Sequence, residues 1–139
     1  MRWIISLIFV VQIYLMMLLM GIFFLPYALL SKNGAWFACY TYTRWVLWCA
    51  RWMLGIETEV RGKVPRGEVV IASKHQSFLD IIMIFNAIPQ PKFIMKSQLL
   101  YTPVIGQYAY RLGCIPVNRG KRAEAIKLMM ADVQSGRSP

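Results

Sequence analysis

The sequence predicts an α/β domain preceded by an amino-terminal membrane helix and an interfacial helix. Three observations predict it. Residues 3–31 carry no charged side chain, residues 35–54 are aromatic and sparsely basic, and after Gly55 short β-branched runs alternate with helical patterns. The expected division is therefore a membrane-associated helical segment, 1–54, followed by part of an α/β domain, 55–139. Composition agrees: the chain is 58% hydrophobic and only 16% charged, yet Lys+Arg number 16 against 6 Asp+Glu, a net charge of +10. Soluble domains carry about 25% charged residues, so an ordinary cytosolic globule and a disordered chain are both excluded. A basic balance on so apolar a chain suits anionic lipid headgroups or phosphorylated ligands near a membrane.

The first element follows from the run between Arg2 and Lys32, which only Ser6, Gln12 and Gly21 interrupt before Leu25. A bilayer core needs about 20 apolar residues as a helix, and Pro26 followed by Lys32-Asn33-Gly34 is the expected stop. The run is too long, and Tyr27 to Leu30 too bulky, for a cleaved signal peptide. In the next segment Arg44, Trp48 and Arg51 fall at i, i+4 and i+7 of a helix, placing two cations and an indole on one face. Trp and Tyr favour the headgroup level and Arg extends its charge toward phosphates, so an interfacial helix over 35–54 is expected, with a second span as the alternative. The chain after Ser31 is expected on the cytoplasmic side. Cys39, Cys49 and Cys114 have no C-x-x-C spacing and read as reduced thiols, mostly buried, with acylation of Cys39 as the lesser reading.

After Gly55, strands are expected over 56–60, 69–73, 93–96 and 114–117, and helices over 78–88, 102–112 and 120–134, the last with Ala123, Ile126, Met130 and Val133 on one side. Such alternation implies a largely buried sheet.

The sole histidine, His75, lies just past the predicted strand, in Lys74-His75-Gln76-Ser77-Phe78-Leu79-Asp80. Catalytic groups of open α/β sheets gather beyond the carboxyl ends of strands, and imidazole is the side chain best suited to accept a proton near neutral pH. On one continuous helix His75 and Asp80 would be separated by about 140°. A contact therefore requires His75 to lie outside the helix, folded back over its first turn. The same residues also read as plain helix capping, with Ser77 as cap and Asp80 as its partner three residues on. A serine nucleophile at Ser73 or Ser77 is disfavoured because no G-x-S-x-G elbow is present. The sequence offers no carboxylate pair for glycoside chemistry and no ligand cluster for a metal.

His75, four intervening residues and Asp80, behind a hydrophobic amino-terminal segment, resemble the first motif of the glycerolipid acyltransferases, closest to the 1-acylglycerol-3-phosphate (lysophosphatidic acid) acyltransferases. Lys96 followed by Leu99, Pro103 and Gly106 resembles the segment between that family's first two motifs. Gly113-Cys114-Ile115-Pro116-Val117-Asn118-Arg119 resembles its second motif, with Pro116 and Asn118 where the family more often has an aromatic residue and an Asp.

The resemblance implies that 55–139 is part of an acyltransferase catalytic domain. It implies transfer of an acyl group from an acyl-CoA or acyl carrier protein thioester to the sn-2 hydroxyl of lysophosphatidate, giving phosphatidate in phospholipid biosynthesis. His75 would be the base and Asp80 its orienting partner, with Lys96, Gly113, Ile115 and Arg119 binding substrate and Arg119 taking the acceptor phosphate. It further implies no metal and no cofactor beyond the thioester co-substrate. The partners are membrane lipids and a lysophospholipid rather than nucleic acid, and the active site faces the cytoplasm. The family's third motif, Phe-Pro-Glu-Gly-Thr-Arg, would follow Pro139, so the chain is expected to be an amino-terminal fragment. Two alternatives stay open: an acyltransferase for another lysophospholipid or lipid hydroxyl, and a non-catalytic, membrane-anchored module that binds anionic lipid.

Overall fold

The computed structural model describes residues 1–67, 69–74, 76–118 and 120–134, which fall into two compact units. The first comprises Met1–Val64 and Ser73–Pro91; the second comprises Pro65–Ala72 and the described residues from Lys92 onward.

The first unit is helical. Helix α1, Arg2–Phe23, has 22 residues, about 33 Å at the usual rise, and is long and apolar enough to cross a membrane by length and composition. Pro26 does not end it. The helix stops at Phe23, and Pro26 stands in the first turn of a short helix, α2, Leu25–Leu30, where its missing N–H is no loss. Helix α3, Lys32–Cys49, starts three residues before the expected boundary and continues as a π-helical turn, Ala50–Leu54, closed by Gly55 in the left-handed region at φ 65°. Gly34 permits the tight turn between α2 and α3, because a Cβ there would lie 2.4 Å from the Tyr27 carbonyl oxygen.

Phe9 and Ile13 of α1 meet Val46, Cys49 and Ala50, and Ile82 joins them from helix α4, Phe78–Ala87. The Tyr42 hydroxyl donates to the Ile13 carbonyl across this seam at 3.2 Å. The rest of α1 stays largely uncovered, with Trp3 90% and Phe23 74% exposed. The predicted face of α3 is also outward: Arg44, Trp48 and Arg51 are exposed, and the indoles of Trp48 and Trp52 stack at 6.2 Å. Cys49 is buried, and Cys39 and Cys114 are half-buried.

An aromatic cluster joins α3 to α4. The Phe85 ring lies 5.6 Å from Trp36 and 4.9 Å from Tyr40. The Tyr40 hydroxyl donates to the Ile88 carbonyl and accepts the Gln90 N–H, both at 3.0 Å. Gln90 has φ 49°, the left-handed region, alone among the described non-glycine residues. That hydroxyl therefore holds the turn in which α4 ends.

The second unit contains strand β1, Ile94–Lys96, a 3₁₀ turn, Ser97–Tyr101, helix α5, Pro103–Arg111, strand β2, Ile115–Val117, and helix α6, Arg122–Gln134. The strands pair in parallel, Ile94 opposite Ile115, Met95 opposite Pro116 and Lys96 opposite Val117. Pro103 opens α5, and Gly106 lets it close on the 3₁₀ turn, since a Cβ there would sit 2.0 Å from the Leu100 carbonyl oxygen.

The structure also corrects the sequence reading of the sheet. The described parts of 56–60 and 69–73 form no strand, so the protein is mostly helical with a short two-stranded parallel sheet. Val60, Val69 and Val70 are 58%, 52% and 70% exposed: strand-like composition yields a strand only where a neighbour completes the ladder. Nor is the sheet largely buried, as Ile94 is 51% exposed. On α6, Ala123, Ile126 and Met130 are exposed, and the Val133 side chain lies outside those described.

Tyr40→Phe keeps the ring contacts and removes both hydrogen bonds, so a loss of about 1–2 kcal/mol in stability is expected. Phe85→Ala should cost more, about 3–5 kcal/mol, by opening a cavity under Trp36. Thermal unfolding of both variants in detergent, followed by circular dichroism, checks the ranking.

Candidate active site

Helix α4 begins where the sequence places its cap. Ser77 is extended, at φ −145° and ψ 166°, and forms a reciprocal capping box with Asp80 at the third helical position. One oxygen of Asp80, Oδ2, accepts both the Gln76 and the Ser77 backbone N–H at 2.7 Å. These short contacts satisfy donors that a helix start otherwise leaves unpaired, and they put a negative charge at the positive end of the helix.

Binding Gln76 and Ser77 together ties the backbone at 76–77 to the first turn of α4. Capping and catalysis are alternatives for Asp80 in the sequence, and the capping bonds are present. His75 itself lies outside the described residues.

The second unit carries three more of the sequence-predicted residues. Lys96 is the last residue of β1 and is exposed. Gly113 turns the chain from α5 into β2 at φ 72°, a backbone that side-chain-bearing residues rarely adopt. Ile115 is half-buried, and its N–H donates to the Phe93 carbonyl at 2.9 Å, the bond that starts the parallel pairing. Arg119 lies outside the described residues, as does the Arg122 side chain. Lys121 forms an ion pair with Glu124 at 3.4 Å on an exposed surface, so its charge is partly answered within its own helix end.

Cys114, beside Ile115, is no candidate nucleophile. Burial pushes its thiol above the usual range, partly offset by a hydrogen bond with the Phe93 backbone, so it stays protonated at neutral pH.

Two features escaped the sequence reading. The Tyr40 clamp joins residues 48 and 50 positions apart, and no local pattern signals it. Ser97 donates its hydroxyl to Asn118 Oδ1; Asn118 stood out in the sequence, but only as a departure from the second-motif pattern.

The match of a family model named acyltransferase covers residues 56–137, from just after the π-helical turn. The chain belongs to the acyltransferase family. Among its curated relatives, a 1-acyl-sn-glycerol-3-phosphate acyltransferase of Pseudomonas aeruginosa is 31% identical over 93 residues, covering 66% of this chain and 36% of the relative. The alpha form of that enzyme from Mus musculus is 31% identical over 96 residues, covering 66% and 34%. A chloroplastic one from Brassica napus is 32% identical over 89 residues, covering 59% and 26%. The chain thus spans about a third or less of the length of these acyltransferases. No solved structure matches it. The family match takes in both Asp80 and the strand pair, while α1, α2 and α3 precede it.

Asp80→Ala should lower stability by about 1–2 kcal/mol, because two backbone N–H groups lose their acceptor. Asp80→Asn, which retains an oxygen there, should lose less. Chemical denaturation of the two variants in detergent measures the difference, and equal stability of wild type and Asp80→Ala would refute the cap.

Proposed function

We propose that this chain is part of an enzyme that acylates the sn-2 hydroxyl of lysophosphatidate at a membrane, using an acyl-CoA or acyl carrier protein thioester, and releases phosphatidate. The observation that carries the reading is the anchored Asp80 carboxylate, five residues after His75, inside the acyltransferase match. The relatives are 1-acyl-sn-glycerol-3-phosphate acyltransferases, which supports lysophosphatidate as the acceptor. Helix α1, with its uncovered apolar surface, supports membrane attachment, and the expected orientation puts the active site on the cytoplasmic face.

A hydroxyl is a weak nucleophile at neutral pH. In the proposed reaction His75 takes its proton as the oxygen attacks the thioester carbonyl, while Asp80 orients the imidazole and stabilises the imidazolium. The tetrahedral intermediate then collapses: the C–S bond breaks, the new ester remains, and the departing thiolate takes the proton from imidazolium. Histidine returns to its starting state, and neither metal nor covalent enzyme intermediate is needed. In this proposal Lys96, Gly113, Ile115 and Arg119 bind substrate, and the Arg119 guanidinium takes the acceptor phosphate, a pairing that charge-assisted hydrogen bonds favour.

In the intact protein, His75→Ala is expected to fold and remain membrane-bound while turnover falls by about 10²- to 10⁴-fold. Asp80→Asn should also slow turnover per folded molecule; unchanged turnover would leave Asp80 with its capping role alone. Normal turnover in purified His75→Ala would defeat the mechanism.

Arg119→Ala should raise the KM for lysophosphatidate well above any change in the thioester KM, because the lost contact belongs to the acceptor alone. Initial-rate kinetics with each substrate varied in turn gives the comparison, and equal rises would remove the phosphate assignment.

A further inference from the structure

The parallel pairing of β1 and β2 ends at Lys96 opposite Val117. Beyond that rung the chains part: Ser97 enters the 3₁₀ turn and Asn118 leads toward α6. The next positions in the same register are Ser97 and Asn118, and here a side-chain bond stands where a backbone rung would have been, the Ser97 hydroxyl donating to Asn118 Oδ1. Asn118 has a second task. Its carbonyl accepts the Lys121 N–H at 3.4 Å, closing a turn in which Gly120 takes φ 109°. One asparagine thus secures that turn through its backbone and ties it to the end of β1 through its side chain. Lys96, next to Ser97, is the last residue of β1, and in sequence Arg119 follows Asn118; the carboxyl ends of parallel strands are where ligands of open α/β sheets bind.

We infer that Ser97 and Asn118 are positioning residues for a phosphate-bearing acceptor: their hydrogen bond sets the spacing between the strand end that carries Lys96 and the turn that Asn118 closes with Lys121. The inference rests on the proposed function for the nature of that acceptor. Neither side chain needs to touch the ligand. Both lie at the surface, Ser97 half-buried and Asn118 exposed, so replacing them leaves the core intact.

The test is calorimetric binding to the intact protein of a short-chain, water-soluble 1-acylglycerol 3-phosphate and of the matching unphosphorylated 1-acylglycerol. Ser97→Ala and Asn118→Ala should each weaken the phosphorylated ligand by roughly three- to tenfold, the worth of one hydrogen bond, and leave the unphosphorylated one unchanged. Ser97→Thr, which keeps the hydroxyl, should bind as wild type does. The double alanine variant should be no worse than the weaker single one, since both remove the same bond. In turnover, the acceptor KM should rise in parallel, with the thioester KM and kcat unchanged. Wild-type binding by Ser97→Ala, a loss shared with the unphosphorylated ligand, additive losses in the double variant, or a wild type blind to the phosphate would each overturn the inference. A wild type that prefers the phosphorylated ligand but transfers no acyl group would instead defeat the proposed function and leave the tie standing.

Discussion

The first unit depends on how α4 is fastened, because α4 bears the carboxylate on which the proposed chemistry turns. Its two ends are held by different means. At the carboxyl end the Tyr40 hydroxyl bonds Ile88 and Gln90, and Phe85 packs against both Trp36 and Tyr40. At the amino end Asp80 binds the two N–H groups that precede the helix. Between these ends Ile82 enters the core formed by α1 and α3. A ten-residue helix is too short to persist by propensity alone, so its direction comes from these contacts. The largest share falls to α3, which meets α1 on one side through Val46 and Cys49 and α4 on the other through Trp36 and Tyr40.

The second unit solves a different problem with less apolar surface. Two three-residue strands offer few backbone bonds, and parallel pairing needs a crossover between them. The 3₁₀ turn and α5 provide that crossover within residues 97–111, and Gly106 shortens it by letting the helix approach the Leu100 carbonyl. Gly113 then reverses the chain into β2 at a positive φ. The glycines that the sequence marked only as part of a motif therefore have distinct mechanical causes, close approach in one case and backbone handedness in the other.

What the sequence revealed follows the range of the interactions involved. Helix α4 was expected over 78–88 and found at Phe78–Ala87, because its cap and its apolar spacing are both local. The strand at 114–117 was found at Ile115–Val117 for a similar reason, bounded by Gly113. The runs at 56–60 and 69–73 misled because a strand is defined by its neighbour, and β-branched residues alone do not supply one. Pro26 misled because proline both ends one helix and begins another. At the site, spacing exposed Asp80 as a candidate, and the backbone N–H groups then explained how it is fixed. Tyr40 and Ser97 stayed hidden, since each acts across a distance in sequence that no local pattern records.

The capping role of Asp80 bears on how such chains are read across an evolving lineage. A carboxylate that stabilises the start of α4 is retained by selection for folding, whether or not acyl transfer is still under selection. A descendant that had lost its chemistry would keep this aspartate for as long as it kept the helix. Its presence in a distant homologue therefore testifies first to conserved architecture and only second to a living enzyme.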